Sequence, residues 1–359
     1  VQRGSRVLMA LVVALLALGG VLGYRGELGF ERTAPQEFVA ATPAPVPLDP
    51  GLVAAQVQPV LVNISVDANR FGTAAAGSGI VLTADGQILT SHHVIKGAEA
   101  VSVTDIGTGQ RYPATVLGYD SGTDVALLAL VGASGLPTAR IGSSAGLRIR
   151  QDVLAIGDAG GDGGAPTSVA GPITDLDASI VAMNSADLSR KSLRGMVEIA
   201  APVVGGQSGG ALADGTGAVV GVITAASGDR GEQDRQPKPA HGYAVPIDTA
   251  MGIVAQIRSG TPTDTVHIGP TATLGVQIVD AKPAGARVDW AFFGQPARAA
   301  GISDGDVVTA VDGASVTTAR ALSVAIGRRK PGDVVRLDVT APDGTTRVVE
   351  VVLAEGTPN

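Results

Sequence analysis

The sequence predicts a mainly β protein, built as antiparallel sandwiches or barrels and followed by a small α+β module. Three observations carry this. From about Val53 onward, short apolar runs alternate with Gly, Asp and Asn turns. The chain holds 50 glycines and only 3% aromatic residues, which suits many turns and small-residue packing. Near residue 261 the texture changes: "TPTDTVHIGPTA" reads as a linker, and a strand–helix–strand pattern follows it.

Taken in order, Arg3 and Arg6 precede "VLMALVVALLALGGVLGY", residues 7–24, which is apolar and uncharged. As a helix it would reach roughly 27 Å, just enough for a bilayer core. Basic residues on its N-terminal side predict that this end stays cytoplasmic and the rest is exported. Residues 1–30 are therefore expected to be a membrane anchor, with a cleaved signal peptide and a secreted product as the rival. Residues 31–51 are Pro-rich and read as a semi-extended spacer.

Beyond this spacer, "GSGIVLTADGQILTSHHV" reads as strand, turn, strand, and "TDVALLALV" as a buried strand. "IDTAMGIVAQIRSG" has helical spacing and a stop at Gly260. Residues 52–260 form one expected domain and 261–359 a second, with its linker. "GDAGGDGGAP", residues 157–166, lacks the carboxylate spacing of a calcium loop and reads as a mobile loop. Residues 229–242 read as a charged surface loop, and Trp290, the sole tryptophan, as interior packing of the last module.

Composition narrows the function. The 359 residues carry a net charge of −7, which argues against a nucleic-acid binder. With no cysteine, disulfides, thiolate nucleophiles and Cys-based zinc sites are excluded. No cofactor or metal is expected.

The chemistry concentrates in "GGQSGGAL", residues 205–212. A serine is a useful nucleophile when a base takes its proton and donors hold the oxyanion. Glycines beside it let the backbone aim N–H groups into one spot. By itself the fragment reads more naturally as a turn. The chain has only four histidines, and two, His92 and His93, stand together in "ILTSHHV" after a buried strand. Asp124 heads another strand in "GYDSGTDVALLALV", with Asp120 as the alternative acid. The order His, Asp, Ser is one of the known triad orders. His241 and His267 sit in loop-like segments and read as solvated.

At these residues the sequence resembles the trypsin-like proteases of the HtrA (DegP) type, especially their secreted PepA-type members. "ILTSHHVIKGA" is similar to their "ILTNxHVV", "YDSGTDVALL" to "DxxxDxALL", and "GGQSGGAL" to "GNSGGPL". The last module resembles a PDZ domain, with "TLGV" as the carboxylate-binding loop and "GISDGDVVTAVDG" as its usual turn. The resemblance implies a chymotrypsin-like double six-stranded antiparallel β-barrel plus a C-terminal α+β PDZ domain. It implies His93 as general base, Asp124 as its partner, Ser208 as nucleophile, and the N–H groups of Gly206 and Ser208 as oxyanion hole. His92 is then a packing or surface neighbour. The specificity pocket falls on Ala201, Pro202, Val203, Thr224 and Ala225, all small or apolar apart from Thr224, so cleavage after small aliphatic residues is implied. Leu274, Gly275 and Val276 would bind peptide C-termini. Polypeptides are the implied substrates, and a homotrimer or a monomer stays open. Where relatives read "DAAINPGNSGG", this chain reads "AAPVVGGQSGG". Two adjacent glycines are expected to let the oxyanion loop flip until substrate or a PDZ ligand orders it. A catalytically silent scaffold is the alternative.

Overall fold

The computed structural model describes residues 45–67, 75–183, 190–226 and 240–358. The apolar run at 7–24 and most of the spacer lie outside these residues. Among the described residues no helix is long and apolar enough to cross a membrane.

The spacer ends sooner than residue 51. Asp49 caps helix α1 (Pro50–Val57) by accepting the Leu52 N–H at 3.1 Å, and Pro50 starts the helix, where its missing donor costs nothing. Six strands then close the first barrel: β1 (Leu61–Val66), β2 (Ala75–Val81), β3 (Gln87–Thr90), β4 (Val101–Asp105), β5 (Arg111–Asp120) and β6 (Val125–Leu130), with the short helix α2 (His92–Ile95) after β3. Their order is β5-β4-β1-β2-β3-β6, and β6 returns to pair with β5. The second barrel is also closed and six-stranded: β7 (Asp152–Gly157), β8 (Thr167–Met183), β9 (Arg190–Ile199), β10 (Ala211–Ala213), β11 (Val219–Ala226) and β12 (Gly242–Pro246). Helix α3 (Ile247–Arg258) follows, and Gly260 at φ 72° ends it as its sequence position predicts.

Period-two alternation explains the unbroken apolar runs. In β6, Ala126, Leu128 and Leu130 fill the first barrel, while Val125 and Leu127 face the seam shared with the second barrel and α3. Likewise Ile88 of β3 points into the barrel and Leu89 to the seam. Both faces are dry, so each run reads apolar throughout. Each buried Leu or Ile contributes about 1.5–3 kcal/mol. The seam fixes one barrel against the other, and the site lies across it.

The expected linker contains a strand. Residues Val266–Ile268 form β13, which pairs antiparallel with the end of β5, Val266 opposite Asp120 and His267 opposite Tyr119. The last domain then comprises β14 (Thr271–Thr273), β15 (Val276–Asp280), β16 (Ala286–Ala291), α4 (Pro296–Ala299), β17 (Val307–Val311), β18 (Ala314–Ser315), α5 (Ala319–Gly327), β19 (Val334–Thr340), β20 (Thr346–Val352) and β21 (Ala354–Gly356). Its own core packs Leu322 and Ile326 of α5 onto Val288, Leu337 and Val351. Trp290 does not join this core, contrary to expectation. A bulge in β16 against β15 breaks the alternation after Val288, so Trp290 faces outward and is 56% exposed.

Candidate active site

The histidine and the aspartate come from neighbouring turns of the first barrel. Asp124 adopts φ 67°, a left-handed conformation that Asp tolerates better than most residues. Asp120 makes that turn: its carbonyl accepts the Asp124 N–H at 3.0 Å and its side chain accepts the Thr123 N–H at 3.0 Å. The alternative acid is therefore a turn former. Asp124 then fastens the α2 turn at three points. Its carbonyl accepts the His92 N–H at 3.2 Å, its Oδ1 the His93 N–H at 3.0 Å, and its Oδ2 the His93 Nδ1–H at 2.7 Å. A carboxylate can only accept here, so Nδ1 carries the proton and Nε2 is left as the basic nitrogen. Thr224, on β11 of the other barrel, donates its hydroxyl to Asp124 Oδ2. The residue expected as a pocket wall thus also holds the Asp124 carboxylate across the seam.

The serine segment hangs from the same strand. Ile223 O accepts one hydrogen bond from Ser91 Oγ at 2.9 Å and another from Gly209 N at 2.7 Å, joining the histidine turn and the serine loop at one atom. The Ser208 carbonyl accepts the Ser78 N–H at 2.8 Å. Among the described residues Ser208 Oγ makes no hydrogen bond, a common resting state for a nucleophile that tightens on substrate binding.

The directions of the Gly206 and Ser208 N–H groups are set by the carbonyls before them. In a trans peptide the N–H points opposite to the preceding C=O. Gly205 O is held by Gly160 N at 2.8 Å, which turns the Gly206 N–H the other way; Gln207 O is held by Gly210 N at 2.9 Å, which does the same for the Ser208 N–H. Neither N–H donates to another described group. Ser78 completes the tether: its Oγ donates to Gly206 O at 2.9 Å and accepts the Asp158 N–H at 2.8 Å. Gly205-Gly206 is thus pinned where the sequence suggested freedom. The 157–166 segment, expected as a mobile loop, does the pinning, and its Asp158 is buried and accepts the Gly163 N–H at 2.9 Å. Sequence reasoning missed Ser78, Gly160 and Asp158. Gly160 and Asp158 sit in a run whose glycines signalled only a turn.

Burial penalises a charged His93, but the Asp124 charge and hydrogen bond outweigh it and raise its pKa above the ordinary value. Burial likewise opposes ionised Asp124, and the charge and hydrogen bond of His93 hold it well below the usual carboxylate range. His92 is buried and pushed down to about 3, so it stays neutral. A histidine that serves as general base must be neutral to accept a serine proton. Activity should therefore rise with pH through the raised His93 value, placing the acid limb of kcat/KM above the usual imidazole value of about 6.5. A limb at or below that value in a pH–rate profile would contradict this.

His92 packs as expected. Its ring stacks on Tyr119 at 4.6 Å, and Tyr119 stacks on His267 at 5.0 Å. His267 is not solvated: burial lowers its pKa, and Nδ1 lies 2.9 Å from Gly327 O at the end of α5. His241 is also engaged, Nδ1 lying 2.9 Å from Glu198 Oε1. Residues 229–239 of the expected surface loop lie outside the described residues, and Gly242 is buried at the start of β12.

Of the expected pocket residues, Ala201 and Val203 are buried and Pro202 is exposed; Ala225 lies on β11. Val203 fills the space above Gly242, where a Cβ would meet its Cγ2 at 2.4 Å. In the last domain Leu274 is buried in the core, and Gly275 takes φ 68° with Gln295 packed where a Cβ would stand. Val276 opens β15, the edge strand of its sheet, alongside α5. Among the described residues no cluster of side chains is suited to hold a metal.

A trypsin-like peptidase domain model matches residues 77–222 and a PDZ domain model residues 272–353. The serine protease PepD of Mycobacterium tuberculosis is 31% identical over 375 aligned positions, covering 99% of this chain and 78% of that protein. A DegP-like probable periplasmic serine endoprotease of Halomonas elongata is 31% identical over 78% of this chain, which spans 56% of its length. The putative serine protease HhoB of Synechocystis is 32% identical over 68% of this chain and 58% of its own length. Among solved structures, the HtrA-type protease AlgW with a tripeptide covers 87% of the chain at 24% identity and a TM-score of 0.49, and 98% of its own length is matched.

Proposed function

Because this chain belongs to the trypsin-like serine proteases of the HtrA/DegP type, with one PDZ domain, we propose that it cleaves misfolded or exposed polypeptides on the extracytoplasmic side of a cell membrane. The observation that carries this is the pair of free N–H groups at Gly206 and Ser208, aimed by tethered carbonyls beside an assembled His93–Asp124 pair.

The steps follow from the geometry. His93 Nε2 takes the Ser208 proton as Oγ attacks the scissile carbonyl. Asp124, braced by Thr224, steadies the imidazolium that forms. The oxyanion is held by the Gly206 and Ser208 N–H groups. His93 then returns the proton to the leaving amine, and water repeats the sequence to free the acyl group. The β11 edge near Ala225 suits substrate paired as an added strand. At β15, a peptide C-terminus can add in the same way, with its carboxylate at the loop of Leu274, Gly275 and Val276.

Val203 above Gly242 makes the pocket shallow, which favours Ala or Val at the residue before the cut. Val203→Ala should improve cleavage after Leu relative to Ala by about tenfold, read as a ratio of kcat/KM on matched peptides. An unchanged ratio places the pocket elsewhere. The tethered oxyanion loop favours a hole that exists at rest, with the PDZ domain delivering substrate ends rather than creating the site. Residues 7–24 would hold the enzyme at the membrane, or be removed to release it.

The test is intact mass after an organophosphonate serine probe. One adduct, absent from Ser208→Ala and His93→Ala, is expected without any added peptide. Labelling only with a PDZ ligand or denatured protein present would restore the ligand-activated reading. No labelling under any condition would favour the silent scaffold.

A further inference from the structure

Lys191 is the second residue of β9, on the second barrel, and its side chain reaches across to Asp124 of the first. Its Nζ lies 3.8 Å from Asp124 Oδ1, is closed off from solvent and has no hydrogen-bond acceptor among the described residues. A buried ammonium without an acceptor is costly, so its place beside a triad member calls for a reason. Asp124 has little left to offer it. Its Oδ1 already takes the His93 N–H, and its Oδ2 takes the His93 Nδ1–H and the Thr224 hydroxyl. The contact is therefore one of charge, beyond hydrogen-bond length.

We infer that Lys191 is a positioning residue of the triad: its ammonium offsets part of the Asp124 charge, so that His93 gives up its proton and becomes a working base at a lower pH than the Asp124–His93 pair alone would allow. This rests on the reading of His93 as general base. The other groups facing His93 do not supply the same balance. His92, on the same turn, is buried and neutral. Lys96 closes that turn, and its charge disfavours a charged His92 and a charged Lys191. Asp120, at the end of β5, is engaged with its own turn. Lys191 itself is held between burial, which disfavours its charge, and Asp124, which favours it. The same ammonium weakens what Asp124 gives to the imidazolium in the transition state. The chain thus exchanges some plateau rate for activity on the acid side.

The experiment uses the full chain with Lys191→Met, of similar length and uncharged, and Lys191→Arg, which keeps the charge. In Lys191→Met the acid limb of kcat/KM on a peptide substrate should move up by about half to one pH unit, a loss of about three- to tenfold at pH 6, with the alkaline plateau equal or higher. Lys191→Arg should keep the wild-type limb. An unmoved limb in Lys191→Met, or an equal shift in both variants, overturns the inference. A second readout does not need turnover: NMR titration of the His93 imidazole nitrogens in Ser208→Ala, with and without Lys191→Met. The same upward shift is expected there, and its absence again overturns the inference. If wild type cleaves nothing, the protease reading fails while this titration still reports on Lys191.

Discussion

Replacing Ser208 by alanine lowers kcat/KM on a peptide substrate by about four orders of magnitude or more, and His93→Ala does the same. The double variant should be no worse than either single one. The serine without its base is a poor nucleophile, and the base without its serine has nothing to deprotonate. The structure ties the two segments together, since Ser91, two residues before His93, and Gly209, next to Ser208, share one acceptor, Ile223 O. Initial rates on a fluorogenic peptide, with circular dichroism to show that each variant folds, check the expectation. Residual activity within tenfold of wild type would locate cleavage in another protein of the preparation.

Gly206→Ala is the second large effect. Gly206 has φ 89°, where a side chain is strained, and a Cβ would stand 2.1 Å from Asp158 O and 2.4 Å from Gly161 N. The loop would have to leave its tether, taking one oxyanion donor with it. The expected loss is about 10²–10³ in kcat with KM little changed, the size seen when one such donor is removed. Gly205→Ala makes the comparison informative, because a Cβ there meets nothing within 4 Å. It should cost far less. Equal losses in the two variants would mean that both glycines serve loop flexibility rather than one fixed geometry.

The contrast between these two glycines shows where sequence reading stopped. His93, Asp124 and Ser208 could be singled out because each sits in a local pattern: a histidine after a buried strand, an acid before one, a serine among glycines. The two closed barrels were legible only through resemblance, since alternation toward two dry faces erases the polar half of the pattern. The supports of the site were not legible. Ser78 acts on Gly206, 128 residues away, through one hydroxyl in an ordinary strand. Thr224 was picked out for its place on β11, but its bond to Asp124 spans 100 residues. Nothing in "TDTVHIGP" announces a strand, because three residues suffice once β5 offers an open edge. Trp290 failed for the opposite reason: its size suggested a core, while its register on β16 turns it outward.

That borrowed strand bears on the enzyme's own survival. A protease that takes its substrates as extended segments is a hazard to any loose stretch of its own chain, and a tether between two domains is the usual victim. Here one edge of the stretch is already taken and its ends are tied down. Thr263 N donates to Val266 O at 3.0 Å in a tight turn, β13 is spoken for by β5, and Gly269 N donates to Leu117 O at 2.8 Å. To be cut there, the chain would first have to unzip from β5, which ends four residues before Asp124, and the unzipped edge would belong to the very barrel that carries Asp124. Autolysis at the hinge is thus opposed at its source, because the conformation that offers the hinge as substrate is one in which the blade is loosened.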